Sequence, residues 1–187
     1  MKENQEDLDL DLWLDRSVME RQNQLKNQFL HLLETVGNSI SNEELTAFFK
    51  ASRGKKVTKG NDLLGYPYQV LDLIRDFDKA VGCNIRLLNW FGHGFFILIF
   101  LGKRAEIPSN ELLNCDFQLG KVDDPWDFGA LILDKKTTAS PIRTEIRAAD
   151  FQLWIKEVPI FGELKSTVRL LVSEIKKIIS LELKHSS

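Results

Sequence analysis

The feature that most constrains the fold is an uninterrupted apolar run in mid-chain, Phe95 to Leu101. Side chains of a strand alternate between its two faces, so this run is apolar on both faces. Such a strand belongs in the interior of a sheet with cover on each side, since an exposed edge of this composition would promote aggregation. The sequence therefore predicts a central strand, and the long helices expected at both ends of the chain are the obvious cover.

The segment before this run predicts its partner strand. Asn84 to Phe91 and Phe95 to Leu101 flank Gly92-His93-Gly94, a short loop whose glycines can adopt positive φ angles. This arrangement predicts an antiparallel hairpin in which Asn84 lies opposite Gly102.

Helical periodicity is clearest near the two ends of the chain. A long helix is predicted from Leu10 to Val36, with Gly37 as its left-handed stop, on one stripe of apolar residues: Leu14, Val18, Leu25, Phe29, Leu32 and Val36. About 27 residues at 1.5 Å each span roughly 40 Å, so this helix either crosses the whole body or projects from it. A second helix, from about Gly162 to Leu183, is apolar around more than half of its circumference. Ser41 and Glu44 have the spacing of a capping box at the start of a short helix.

Other segments give weaker signals. Tyr68 to Ile74 fits a strand or a helix, and we predict a strand because Tyr66 is a poor helix cap. Further strands are predicted at Phe128–Leu133 and Ile142–Arg147, and one helical turn at Ser109–Asn114. Phe151 to Val158 fits a strand or a short helix, and the sequence leaves both open.

Together these elements predict an α+β fold in which an antiparallel sheet of four to six strands is covered by long N- and C-terminal helices. We expect one domain over residues 1–187, with the acidic residues 1–9 disordered. The apolar stripes of the two long helices pack on each other within one chain, or partly form a homodimer interface.

Composition excludes several functional classes. The chain has 25 lysines and arginines against 27 aspartates and glutamates, a net charge of −2, which argues against nucleic acid as a partner. No apolar run approaches the roughly 20 residues of a membrane span, and an acidic N-terminus is not a secretory signal. Two cysteines and three histidines are too few and too scattered for a disulfide scaffold or a zinc site. We expect a soluble cytoplasmic protein with reduced cysteines and no cofactor or metal.

Two regions are candidates for ligand binding, although each also has a purely structural interpretation. Between Lys50 and Gly60 the chain is basic and without acids, so it can bind phosphate or form a solvated loop; its predicted ligand-binding cations are Arg53, Lys55, Lys56 and Lys59. The hairpin tip carries Asn89, Trp90 and His93, which can contact a ligand or simply form the turn. The predicted hairpin keeps Cys83 far from His93 and so excludes a nucleophile–base pair.

One acidic cluster is a weaker candidate. Asp72, Asp76 and Asp78 can ligate magnesium if they share a face of a strand, whereas in a helix Asp72 and Asp76 pair with Arg75.

No hydrolase, kinase, dinucleotide or zinc-protease motif is present in the sequence. We therefore predict a non-enzymatic binding or protein-interaction domain, whose partner is a second copy of itself or another protein. The alternative is a small enzyme or ligand-binding domain that recognises a phosphate-bearing or anionic ligand beside the hairpin tip and the basic segment 50–60.

Overall fold

The structure, a computed structural model, describes residues 7–142, 144, 146 and 149–185. The helices in this part of the chain are α1 (Leu10–Leu14), α2 (Arg16–Asn38), α3 (Asn42–Phe48), α4 (Ser109–Asn114), a short π-helix (Gly129–Leu133) and α5 (Leu164–Ile179). The strands are β1 (Lys56–Leu63), β2 (Tyr66–Arg75), β3 (Cys83–Trp90), β4 (Gly94–Gly102), β5 (Ala105–Glu106), β6 (Gln118–Gly120), β7 (Thr137–Thr138), β8 (Phe151–Glu157) and β9 (Lys184–His185).

The main sheet confirms the predicted fold class but has more strands than expected. Seven strands follow the order β1-β2-β3-β4-β8-β6-β7, and every pairing between them is antiparallel. The apolar strand β4 lies in the middle, between β3 and β8, as its composition predicts. The prediction of four to six strands was too low because β6 and β7 are too short to give a sequence pattern.

The hairpin is present, and its register differs from the predicted one. Asn84 pairs with Phe100 rather than Gly102, and Trp90 pairs with Gly94. The loop is therefore Phe91-Gly92-His93, closed by a hydrogen bond from the His93 N–H to the Trp90 carbonyl. Because the register shift is two residues, every side chain keeps its predicted face.

The two faces of the sheet are covered differently from the prediction. The apolar sides of α2 and α5 both pack on the face that carries Leu71, Leu87 and Ile97. The opposite face, with Leu88 and Phe96 among its residues, is covered by the segment 122–132, which includes the π-helix. We call these the helix face and the loop face. The long helices were expected to cover both faces of the sheet, whereas both lie on the helix face.

The predicted helix from Leu10 to Val36 is two helices. Asp15 interrupts it, and the Asp15 carboxylate caps α2 by accepting a hydrogen bond from the Val18 N–H. The C-terminal half of α2 is buried through Leu32, Leu33 and Val36, whereas no residue of α1 or of the N-terminal half of α2 is buried. The N-terminal end therefore projects from the body, which is one of the two alternatives that the sequence left open.

The predicted stop at Gly37 was also wrong. Gly37 lies inside α2, and the Ser39 N–H completes the last turn by donating to the carbonyls of Thr35 and Val36. The capping box at the start of α3 is present as predicted: the Glu44 N–H donates to Ser41 Oγ, and the Ser41 N–H donates to Glu44 Oε2.

Several weaker predictions are settled by the structure. The strand over Tyr68–Ile74 is confirmed within β2, the helical turn at Ser109–Asn114 is α4, and Phe151–Val158 contributes strand β8. The basic segment is not entirely a loop, because β1 begins at Lys56. The C-terminal helix is shorter than predicted at both ends.

Two strand predictions were wrong. The segment predicted as a strand at Phe128–Leu133 is mainly the π-helix, in which the Ala130 N–H donates to the Asp127 carboxylate. The prediction for Ile142–Arg147 falls partly on residues outside the described ones. Of its described residues, Thr144 and Ile146 are helical, and the Ile146 N–H donates to the Ile142 carbonyl. The prediction of disorder over residues 1–9 also falls mostly outside the described residues. In the described part of the chain, no helix has the length and apolar character needed to span a membrane.

Candidate functional site

Strand alternation places the residues of the hairpin tip on opposite faces of the sheet. Asn89 lies on the helix face, opposite Phe95, whereas Trp90 belongs to the core of the loop face. The Trp90 ring is fully buried, and its indole N–H donates to the Leu63 carbonyl at 3.1 Å. The three predicted tip residues therefore do not line one common site.

His93 lies at the edge of the loop face. Its imidazole is half-buried against Trp90 and Tyr66, with ring centroids 4.2 Å and 4.5 Å away. Its Nε2 atom is buried and has no hydrogen-bond partner among the described residues. The ring borders a hollow whose charged residues include both Lys135 and Glu157, so this site has no uniform charge.

The predicted basic cluster is likewise divided. The Lys55 ammonium donates to the carbonyls of Gly37 and Ile40, both at 2.8 Å, and so satisfies the C-terminal end of α2. The Arg53 carbonyl accepts a hydrogen bond from Arg75. Lys56 and Lys59 are both exposed on β1, and their odd sequence separation places them on opposite faces of the sheet.

Lys59 and Asn89 belong to a row of polar residues across the helix face. Lys59 pairs with Gln69, and Gln69 pairs with Asn89, on the neighbouring strands β1, β2 and β3. We call these three residues the polar row. The parallel row two positions along is entirely apolar: Val57, Leu71, Leu87 and Ile97.

A cavity of about 500 Å³ lies between the polar row and the exposed flank of α2. We call it the polar cavity. From α2 it is lined by four residues at helical spacing, Asn23, Lys26, Asn27 and Leu30. The sheet contributes Lys59 to Asn61 of β1, Pro67 to Gln69 of β2, and Phe91. Its lining contains two cations and no acid.

Gln69 forms the floor of the polar cavity. It is only 4% exposed, and its Nε2 donates to the Lys26 carbonyl at 2.8 Å, which ties the sheet to α2. Its Oε1 atom is buried and has no partner among the described residues. Asn89 is also 4% exposed, and its Nδ2 atom is likewise buried without a partner among the described residues. Gln69 is not among the residues predicted from the sequence, although a glutamine on the same strand face as Leu71 and Leu73 is the kind of signal that marks such a position.

The acidic cluster considered for magnesium is engaged in structural contacts. Asp72 receives hydrogen bonds from Arg86 at 2.8 Å and 3.1 Å and from Asn84 at 2.9 Å. The N–H groups of Val81 and Ala80 hydrogen-bond to Asp78 and hold the pKa of its carboxyl below the usual value. Among the described residues, no group of three or more His, Cys, Asp or Glu side chains is placed to hold a metal ion.

Cys83 is not placed for nucleophilic catalysis. It lies at the end of β3 opposite the hairpin loop. Burial, and to a lesser extent the charge of Asp76, raises the pKa of its thiol far above the usual value, which disfavours the nucleophilic thiolate.

An apolar groove of about 440 Å³ lies on the other flank of α2. It is lined mainly by Leu25 and Phe29 of α2 and by Ile160, Phe161 and Leu164 at the start of α5. We call these five residues the apolar groove. Every one of them except Phe29 is exposed by more than a third.

The projecting N-terminal segment is also apolar. We call residues 7–15 the arm, and its exposed apolar side chains are Leu8, Leu10, Leu12, Trp13 and Leu14. Trp13 and Leu14 are 70% and 69% exposed. Within the described part of the chain, the arm and the apolar groove are thus two apolar surfaces without a partner.

Comparison with known proteins gives no further guidance. No protein-family profile, curated protein or solved structure matches the chain.

Proposed function

We propose that the protein is a non-enzymatic protein-interaction module that associates with a second copy of itself, the arm of each copy docking in the apolar groove of the other. The observation that carries the proposal is the exposure of Trp13 and Leu14 on an arm that no other part of the described chain covers. Burying a side chain of this size is worth about 1.5–3 kcal/mol, so leaving several of them in water forgoes substantial stabilisation. Contiguous apolar surface of this kind marks interaction sites in soluble proteins.

The arm is acidic, and three cations lie near groove residues in the sequence. Between its first and last residues the arm has no cation and four acids: Asp7, Asp9, Asp11 and Asp15. Lys165 and Arg169 follow the groove residue Leu164 on α5, and Arg21 lies one turn before Leu25 on α2. All three cations are exposed, and none has an ion pair within the described part of the chain. One exposed acid, Glu163, lies directly before Leu164, so the cations near the groove residues outnumber it and favour an acidic leucine-rich segment as the partner.

This complementarity within one chain favours a second copy as the partner. If two copies exchange arms, each copy contributes the same two surfaces, and the contact closes as a two-fold symmetric dimer. A cytoplasmic location fits the proposal, because Cys83 and Cys115 are both free thiols.

The test is sedimentation velocity over a series of protein concentrations. We expect the wild type to form a dimer at high concentration and Trp13→Asp to remain monomeric. The matched control is Leu133→Asp, which places the same charge on another exposed apolar residue, remote in sequence from the arm and the groove. A wild type that is monomeric throughout, or a Trp13→Asp variant that dimerises like the wild type, would refute the proposal.

A charge exchange tests the pairing itself. Asp11→Lys and Lys165→Asp should each weaken the dimer, and the two changes in one chain should restore it, because the arm of one copy then again meets opposite charge on the other. If the double variant is weaker than either single variant, the arm does not dock beside Lys165.

A further inference from the structure

The polar cavity has properties that the proposed self-association does not use. It lies on the flank of α2 that carries Asn23 and Lys26, whereas the apolar groove uses the flank with Leu25 and Phe29. We infer that this cavity binds a small hydroxylated organic anion, with its phosphate or carboxylate group between Lys26 and Lys59 and a hydroxyl group donating to Gln69 Oε1.

The charge of the lining selects an anion. Lys26 comes from the helix and Lys59 from the edge strand, so the two lysines belong to opposite walls of the cavity. Neither lysine side chain has an ion-pair partner among the described residues, and no acid lines the cavity. Asn23, Asn27 and Asn61 supply neutral amide groups that can hydrogen-bond to the oxygens of a phosphate or carboxylate.

The floor of the cavity selects a ligand with a hydrogen-bond donor. The Gln69 amide is held in place because its Nε2 donates to the Lys26 carbonyl, so its Oε1 is the acceptor left over. A buried acceptor without a partner is unfavourable, and a ligand hydroxyl that donates to it relieves that cost. A bare anion has no carbon-bound hydroxyl for this acceptor, so the pairing distinguishes a hydroxylated ligand from a simple one.

The size of the cavity fits a molecule of this class. A volume of about 500 Å³ lies within the range of about 300–1,000 Å³ typical of small-molecule sites. Leu30, Pro67 and Phe91 provide apolar surface for the carbon skeleton beside the polar groups. The proportions suit a sugar phosphate or a sugar acid.

The experiment is isothermal titration calorimetry at low ionic strength, with probes that separate the requirement for an anionic group from the requirement for a hydroxyl group. Glucose 6-phosphate and gluconate carry both an anion and hydroxyl groups, methyl phosphate and acetate carry the anion without a carbon-bound hydroxyl, and glucose carries only hydroxyl groups. We expect glucose 6-phosphate, gluconate or both to bind more tightly than the other three. If one of the two binds more tightly than the other, its phosphate or carboxylate is the preferred anionic group; if both bind equally, the site accepts either.

Variants assign the binding to the polar cavity. Lys59→Gln and Lys26→Gln should each weaken the binding of the hydroxylated anion about tenfold, which corresponds to about 1.4 kcal/mol. The matched control is Lys56→Gln, which removes the same charge from the same strand but from its other face, and it should bind as the wild type does. Gln69→Leu should abolish the preference for glucose 6-phosphate over methyl phosphate.

A readout on the wild type does not depend on the folding of any variant. In a heteronuclear NMR titration, the backbone amides of Gly60, Asn61 and Gln69 should shift on addition of the probe. The inference is wrong if neither hydroxylated anion binds, if Lys56→Gln weakens binding as much as Lys59→Gln does, or if these amides stay unchanged while others shift. The titration on the Trp13→Asp variant should match the wild type, so failure of this inference is distinguishable from failure of the proposed self-association.

Discussion

Glu174 and Lys156 form an ion pair between α5 and β8 that is largely excluded from water. The Glu174 residue is 5% exposed, and its carboxylate receives hydrogen bonds from Lys156 and Lys177, both at 2.6 Å. The Lys156 side chain is 13% exposed, and its ammonium also donates to the Cys115 carbonyl at 2.9 Å. We predict that Glu174→Gln strongly destabilises the fold, because it leaves the Lys156 charge buried without its main counter-charge.

The size of the destabilisation in Glu174→Gln depends on the interactions that Lys156 retains. Breaking a buried ion pair by removing one partner costs about 3–5 kcal/mol when the remaining charge is uncompensated. Lys156 retains the Cys115 carbonyl and a second carboxylate, that of the exposed Asp116, at 3.6 Å. We therefore expect the lower end of the range, about 3 kcal/mol for Glu174→Gln. Replacing both partners, as Lys156→Met with Glu174→Leu, removes both buried charges and should change stability by less than about 1 kcal/mol.

The assay is urea unfolding followed by circular dichroism, and the free energies of Lys156→Met, Glu174→Leu and the double variant are compared as a double-mutant cycle. Lys177→Met is the control, since this lysine is half-exposed and its pairing with Glu174 should be worth less than about 1 kcal/mol. If the double variant is as unstable as the sum of the two single variants, Lys156 and Glu174 are not energetically coupled and the reasoning fails.

Two further predictions concern stability. Burial raises the pKa of Glu174, but hydrogen bonds from Lys156 and Lys177 outweigh that effect, so the pKa in the folded state lies below the ordinary value. The stabilisation from the ion pair is therefore complete above the pKa of the unfolded state. It is lost as the pH falls through the pKa of the folded state. Urea midpoints over an acidic pH series should therefore fall less steeply in Glu174→Gln than in the wild type, and parallel curves would contradict this. In a second urea experiment, Leu33→Ala should cost about 2.7–5 kcal/mol because Leu33 is fully buried. Leu25→Ala should cost less than about 1 kcal/mol at concentrations where the protein is monomeric, because Leu25 is exposed; similar losses would show that Leu25 is packed as tightly as Leu33.

The centre of the sheet was predictable because its signal is local. The run from Phe95 to Leu101 is apolar at successive positions, and only an interior strand buries both sets of side chains. The glycines of the hairpin were equally informative, since Gly92 and Gly94 both have positive φ angles. The register was missed because the loop closes through a His93–Trp90 backbone hydrogen bond, which leaves no trace in residue type.

Other elements lacked a signal of their own. β1 is an edge strand whose residues are all exposed or half-buried, so its sequence shows no clean alternation and is typical of a loop. The run at Phe128–Leu133 is too short for periodicity to separate a strand from a helical turn. That α2 and α5 share one face depends on the chain path, which no amphipathic pattern encodes.

The candidate sites depend on contacts between distant segments. The polar row brings together residues from three strands, and the polar cavity needs α2 as its other wall. Lys59 and Asn89 are separate candidates in the sequence, and nothing in the sequence places Gln69 between them. Their role in ligand binding stays a prediction.

The order in which strands are joined has a consequence for biosynthesis. β4 emerges from the ribosome next to β3, but its other neighbour, β8, follows only after residues 103–150 have been made. Until then the most apolar strand of the protein is a free edge able to pair with a foreign chain. A nascent chain stalled within this interval should require chaperone protection, and a chain that ends before Phe151 should be insoluble even though its first four strands are intact.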